Sequence, residues 1–108
     1  MTNSMSDVRP IPAVQFSQRE IEVLCRKHGI RRLSIFGSAL RDDFGPESDV
    51  DVLVEFLPGR TPGFGFVTIE DELSTLIGRE VDLHTPASLS RYFRDEVLEE
   101  ARELYVAA

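Results

Sequence analysis

The chain has 108 residues, 42% of them hydrophobic and 29% charged, and a formal net charge of −7. This composition is typical of one small globular domain. The acidic balance disfavours direct nucleic-acid binding, which usually needs a basic surface, and favours a basic partner or a site that attracts cations. The lone cysteine, the lack of a visible signal peptide and the lack of a long apolar segment predict a cytoplasmic protein with no membrane association.

The first half of the chain predicts a tail, a helix and two strands. Residues 1–14 are expected to form a flexible tail, and 15–107 the folded domain. Ser17 precedes a helical pattern that ends at Gly29, with Glu20 placed to complete a capping box. "RRLSIF" predicts a strand, followed by one helical turn in "SALRDDF" and a Gly-Pro turn. The Val-rich "DVDVLVEF" predicts the next strand.

The second half continues the alternation of helices and strands. A Pro/Gly loop leads into an amphipathic helix, "FVTIEDELSTLIG", and "EVDLHT" predicts a third strand. Thr85 and Pro86 form a helix start. "SRYFRDEVLEEARELYV" predicts a last helix, although "ELYVA" is equally compatible with a short edge strand. The fold class is therefore α/β, with a small mixed sheet of three to four strands flanked by helices in a single domain.

Two aspartates lie at the start of the Val-rich strand. Because successive side chains of a strand point to opposite faces, Asp49 and Asp51 share one face and the valines share the other. Two like charges near a core are unfavourable unless a cation neutralises them. Carboxylate oxygens are the ligands that Mg²⁺ prefers, often with phosphate oxygens completing its coordination. We therefore predict a metal site at Asp49 and Asp51.

The third strand offers another carboxylate. Asp82 and His84 share a face, and Asp82 joins the aspartate pair if the two strands are neighbours. Three carboxylates around metal ions suit phosphoryl or nucleotidyl transfer, and one of them can activate the attacking hydroxyl. His84 is interpreted as a structural group rather than as a ligand.

A Gly-Ser pair after the first strand can bind phosphate. Gly37 has no side chain and allows a phosphate to approach the backbone. Ser38 opens the short helical turn, whose free N–H groups suit an anion. Arg41 lies one turn further on and is a candidate phosphate partner.

Together, "FGS" and "SDVDVLVEF" resemble the nucleotidyltransferase superfamily of DNA polymerase β, whose signature is a hydrophobic residue and Gly-[Gly/Ser] followed by [Asp/Glu]-hydrophobic-[Asp/Glu]. Ten residues, 39–48, separate Ser38 from Asp49, as in its minimal members. "GREVDLHTP" resembles the strand with the family's third carboxylate. The chain length is similar to that of the minimal nucleotidyltransferase (MNT) antitoxins, which are often encoded beside a HEPN-domain ribonuclease toxin.

The resemblance implies a Mg²⁺-dependent enzyme that transfers AMP from ATP to a tyrosine of a HEPN toxin and so neutralises it. It implies that Gly37 and Ser38 hold the triphosphate, that Asp49 and Asp51 ligate Mg²⁺, and that Asp82 completes the triad. The Pro/Gly loop at residues 58–65 is expected to border the site and contact the partner.

Two other functions remain open at this point. The chain could be an antitoxin that inhibits the toxin by binding and occlusion, with an idle or regulatory nucleotide site. It could also modify a small molecule, as antibiotic-modifying relatives do. Those enzymes build their acceptor pocket from a further helical domain, for which the 108 residues leave no room.

Overall fold

The computed structural model describes residues 16–40 and 49–107. The predicted tail (1–14), Arg41 and the predicted Gly-Pro turn lie outside the described residues, so the domain bounds stay predictions. The helices are α1 (Gln18–His28), α2 (Gly65–Ile77) and α3 (Arg94–Glu100), and the strands are β1 (Ile30–Phe36), β2 (Val50–Phe56), β3 (Val81–His84) and β4 (Arg102–Val106).

The first helix begins and ends as the sequence predicts. The Ser17 side chain accepts a hydrogen bond from the Glu20 backbone N–H at 3.3 Å. Gly29 ends α1 with φ at 67°, a left-handed conformation that glycine adopts without steric cost. Helix α1 buries Ile21, Leu24 and Cys25 against the sheet.

The four strands form one mixed sheet in the order β3-β2-β1-β4. Strand β1 pairs antiparallel with β2 and β4, and β3 pairs parallel with β2. Helix α2 connects the two parallel strands. The predicted class, a single small α/β domain with a mixed sheet and flanking helices, is confirmed.

The two faces of the sheet differ in character. One face is packed with α1 and α2 into the main core, and Val50, Val52 and Val54 all lie in it, as predicted. The opposite face has a smaller buried cluster of four residues, Phe36, Leu53, Leu89 and Val97, of which the last belongs to α3. Alternation along β2 places Asp51 on this second face, beside Leu53.

Side chains of α2 bind the outer edge of β3. Ser74 Oγ accepts the Val81 N–H at 3.0 Å, and Glu70 Oε2 accepts the Leu83 N–H at 2.9 Å. These contacts satisfy outward N–H groups that an edge strand would otherwise leave unpaired. They also fix the position of β3 relative to α2.

The last predicted helix is too long. The helix covers Arg94–Glu100 only, Ala101 has extended backbone angles, and residues Arg102–Val106 form β4. The alternative, an edge strand, is the observed structure. The helical pattern fails here because β1 has an unpaired edge, and a strand that pairs with it gains hydrogen bonds while burying Leu104.

The Pro/Gly loop lies far from the predicted site, so the expectation that residues 58–65 border it is wrong. The Leu57 N–H donates to the Gly29 carbonyl at 2.9 Å, and Arg60 donates to the Lys27 carbonyl at 3.3 Å. These contacts hold the loop at the end of α1. Asp51 lies five residues before the end of β2, which corresponds to roughly 16 Å along the strand.

No helix in the described part of the chain is both long and apolar enough to cross a membrane.

Candidate active site

The pairing of two parallel strands brings two predicted site residues together. In the register of β2 and β3, Asp51 lies directly opposite Asp82. Leu53 lies opposite His84 in the same register, so His84 lies two residues beyond Asp82 on β3, on the same face as Asp82. The sequence predicts that Asp82 joins the aspartate pair if the third strand neighbours the aspartate strand. The pairing of β2 with β3 meets this condition.

The side chains of Asp51, Asp82 and His84 form a compact cluster. The His84 Nε2 atom lies 3.2 Å from Asp82 Oδ2 and 3.6 Å from Asp51 Oδ1. One ligand atom from each of the three residues lies within 4.8 Å of the other two. This spacing is small enough for the three atoms to share one cation.

The electrostatics of Asp51 favour a cation. Burial raises the pKa of Asp51, and the neighbouring charges of Asp82 and Asp49 raise this pKa further. His84 lowers the pKa of Asp51 through its charge and a hydrogen bond, which offsets part of the effect of burial. A carboxylate that is costly to ionise gains stability from a positive partner.

Gly37 lies at the end of β1, next to this cluster. Its φ is 75°, and a Cβ atom at this position would lie 2.5 Å from Asp51 Oδ2. The left-handed backbone favours glycine here, and any other residue would also displace the Asp51 carboxylate from its position. The Gly37 N–H donates to Glu100 Oε1 of α3 at 3.3 Å.

The structure brings together only part of the predicted site. Gly37, Asp51 and Asp82 lie together, whereas Asp49 is exposed, precedes β2 and is not a member of the three-residue cluster. The backbone of Ser38 lies in a 3₁₀ turn, Gly37–Leu40. The Ser38 side chain and Arg41 lie outside what the structure describes, so their roles stay predictions.

Two residues of the site are missed by the sequence interpretation. His84 is interpreted there as structural, although its place two residues after Asp82 already puts it on the carboxylate face. Glu100 has no sequence signal, because its contact with Gly37 joins residues 63 positions apart and depends on the packing of α3.

The donor set is compatible with a divalent cation. Asp51 and Asp82 offer carboxylate oxygens of the kind that Mg²⁺ binds, and Asp51 is half-buried where its charge needs compensation. The strand ends, the acidic pair and the glycine turn thus form a site that can hold a metal ion beside a phosphate.

Comparison with known families finds a match over most of the chain. The family model described as "Nucleotidyltransferase domain" matches residues 18–104. The match includes α1, β1, β2, β3, the first three residues of β4 and the whole acidic cluster, so it covers the site as well as most of the scaffold.

Two curated relatives have similar sequences. "Putative protein adenylyltransferase MJ0435" of Methanocaldococcus jannaschii is 39% identical over 84 residues, which is 78% of this chain and 89% of the relative. "Protein adenylyltransferase MntA" of Thermococcus cleftensis is 35% identical over 79 residues, which is 71% of this chain and 77% of the relative.

Two solved structures have the same fold. One, described as a "putative minimal nucleotidyltransferase", has a TM-score of 0.66 and 34% identity, and the match covers 79% of this chain and 86% of that chain. The other is the MNT antitoxin bound to a tri-AMPylated HEPN toxin of Shewanella oneidensis, with a TM-score of 0.52, 19% identity, and coverage of 83% and 70%. At that identity, the second likeness shows the fold alone.

Proposed function

We propose that this chain, which belongs to the nucleotidyltransferase domain family, is a Mg²⁺-dependent protein adenylyltransferase. It transfers AMP from ATP to a tyrosine of a HEPN-type ribonuclease toxin and neutralises that toxin as its antitoxin. The reaction consumes ATP, so we place the protein in the cytoplasm.

One observation carries this proposal. The parallel pairing of β2 and β3 sets Asp51 opposite Asp82, and Gly37 lies against Asp51 at the end of β1. A metal-binding carboxylate, a second carboxylate and a close-approach turn for phosphate are the parts that nucleotidyl transfer needs. The relatives named protein adenylyltransferase support the choice of a protein acceptor.

The proposed reaction is an in-line substitution at the α-phosphorus of ATP. The tyrosine oxygen forms the new P–O bond, the bond to the β-phosphate oxygen breaks, and pyrophosphate leaves with its electron pair. Asp82 accepts the proton of the tyrosine hydroxyl. The turn that begins at Gly37 binds the triphosphate through backbone N–H groups, with Ser38 and Arg41 as further phosphate partners.

The aspartates hold the metal in this proposal. Asp49, Asp51 and Asp82 would hold the ion through their carboxylate oxygens. When bound, Mg²⁺ neutralises negative charge on the phosphates and orients them. The main contribution of Asp51 is to hold the positive charge of the ion in a fixed position, because Asp51 lies on a strand of the sheet.

The test is co-expression with a HEPN-type ribonuclease toxin as the partner. We expect growth to be rescued and the intact mass of the partner to rise by whole AMP units. The Asp49→Asn/Asp51→Asn double variant should lose both effects.

A control separates catalysis from folding and binding. The double variant should still co-purify with the partner, because the substitutions leave the packed face of β2 unchanged. If that variant rescues growth and the mass of the partner never changes, inhibition occurs by occlusion and the proposed reaction is wrong.

A further inference from the structure

We propose that His84 is a metal ligand, and that Asp51, Asp82 and His84 form a mixed nitrogen-oxygen site that binds Mn²⁺ more tightly than Mg²⁺. The inference rests on the proposed function only in taking Asp51 and Asp82 as metal ligands. It adds a third ligand and a preferred class of ion.

The imidazole nitrogen of His84 lies close to both carboxylates. His84 Nε2 lies within 3.6 Å of an oxygen of each aspartate, and it is the only described atom that contacts both carboxylates as an ion-pair partner. The nitrogen and the two oxygens all lie within 4.8 Å of one another, a spacing that allows the three atoms to surround one ion.

The imidazole of His84 is held in place by its neighbours. Its ring packs edge-on against Phe36, with ring centroids 5.4 Å apart and an interplanar angle of 64°. Phe36 is buried, and the pairing of β2 with β3 fixes the backbone of His84 opposite Leu53. A donor held by packing needs little reorganisation to bind metal, as in preorganised metal sites.

The donor set combines two carboxylates with one imidazole nitrogen. Mg²⁺ binds oxygen donors and keeps much of its water, whereas an imidazole nitrogen suits transition metals. Mn²⁺ accepts carboxylate oxygens as Mg²⁺ does, and as a first-row transition ion it gains more than Mg²⁺ from an added imidazole nitrogen. A third ligand that is nitrogen therefore shifts the preference of this site towards Mn²⁺.

The direct test is pulsed electron paramagnetic resonance of Mn²⁺ bound to the untagged protein, without nucleotide or partner. We expect modulation from a directly coordinated ¹⁴N nucleus. The chain has two histidines, so labelling with ¹⁵N-histidine should replace this signal by that of ¹⁵N. The measurement on the parent protein needs no substitution and therefore does not depend on a variant folding.

A matched pair of variants assigns the nitrogen. His28→Gln should keep the signal, because His28 lies on α1 against Glu72, with its Nε2 3.0 Å from Glu72 Oε1, on the opposite side of the sheet. His84→Gln should lose it. A missing ¹⁴N signal in the parent protein, or a signal that persists in His84→Gln, would overturn the proposal.

Calorimetric titration tests the metal preference. His84→Gln should weaken Mn²⁺ binding at least about tenfold. Removing a residue that only hydrogen-bonds to a metal ligand already costs about tenfold or more in affinity, and loss of a ligand should cost no less. Mg²⁺ binding should change less than about threefold, because Mg²⁺ gains little from nitrogen. Equal losses for the two ions would refute the preference. Neither result depends on AMP transfer, so failure here leaves the proposed reaction standing.

Discussion

Gly37 offers a sharp test of the site geometry, because one added methyl group should have two separable effects. Gly37→Ala places a side chain on a left-handed backbone, which costs about 1–2 kcal/mol of unfolding free energy. The same methyl would lie 2.5 Å from Asp51 Oδ2, so the carboxylate has to move. We expect a loss of stability larger than the backbone cost alone, together with weaker metal binding.

Gly78 provides the matched control. Its φ is 76°, against 75° for Gly37, and an added Cβ would meet no atom within 4 Å. Gly78→Ala should therefore cost only the backbone part, about 1–2 kcal/mol. That loss corresponds to a fall in melting temperature of roughly 4–8 °C per kcal/mol for a domain of this size.

A double-mutant cycle isolates the contact with the carboxylate. In an Asp51→Ala background the Oδ2 atom is absent, so Gly37→Ala should cost no more than Gly78→Ala. The assay is urea unfolding of metal-free protein followed by circular dichroism. If Gly37→Ala costs the same with and without the Asp51 carboxylate, within about 0.5 kcal/mol, the proposed clash is refuted.

Three further predictions test the charges around the site. Because burial raises the pKa of Asp51, the folded protein loses stability as pH rises from the ordinary value of 3.8 through the raised one. Asp51→Asn should therefore resist urea unfolding better than the parent at pH 7 with chelator present, and this advantage should disappear at a pH below 3.8. A variant that is less stable than the parent at pH 7 would contradict the electrostatic reasoning. Asp82→Asn should bind ATP normally in calorimetry but transfer AMP at least about a hundredfold more slowly, and loss of binding would make Asp82 mainly a metal holder. Glu100→Ala removes a carboxylate that accepts the Gly37 N–H, which frees this N–H for phosphate, so ATP should bind up to about fivefold more tightly. Glu99→Ala is the control, and a gain in ATP affinity of the same size there would mean that only the net charge matters.

Alternation of side chains along a strand is sufficient to predict the two acidic faces. The pattern in β2 assigns its valines to the core and Asp51 to the other face, and the pattern in β3 does the same for Asp82. The neighbouring placement of β2 and β3 needs a further step, because alternation says nothing about which strands pair. A single helix between two strands favours the parallel βαβ unit, which the structure contains.

The structure selects one of two alternatives for the C-terminal segment and contradicts the expectation for the Pro/Gly loop, and the causes differ. The spacing of apolar residues in the C-terminal segment is compatible with both helix and strand, so the sequence alone cannot choose between them. The unpaired edge of β1 selects a strand for Arg102–Val106. The position of the Pro/Gly loop follows from chain order alone: the aspartates stand at the start of β2, and the loop follows its end. Glu100 has no such signal, since its contact depends on how α3 packs over Phe36 and Leu53.

The exposure of the two opposed aspartates gives them different uses. The Asp51 side chain is 27% exposed and is hemmed in by Gly37 and His84, whereas the Asp82 side chain is 54% exposed. A carboxylate held deep in the sheet suits a fixed positive charge, and one at the rim can meet a hydroxyl from another molecule. Asp82 lies on β3, an end strand of the sheet, and more than half of its side chain is exposed. The edge position of β3 thus fits an acceptor that belongs to a protein partner.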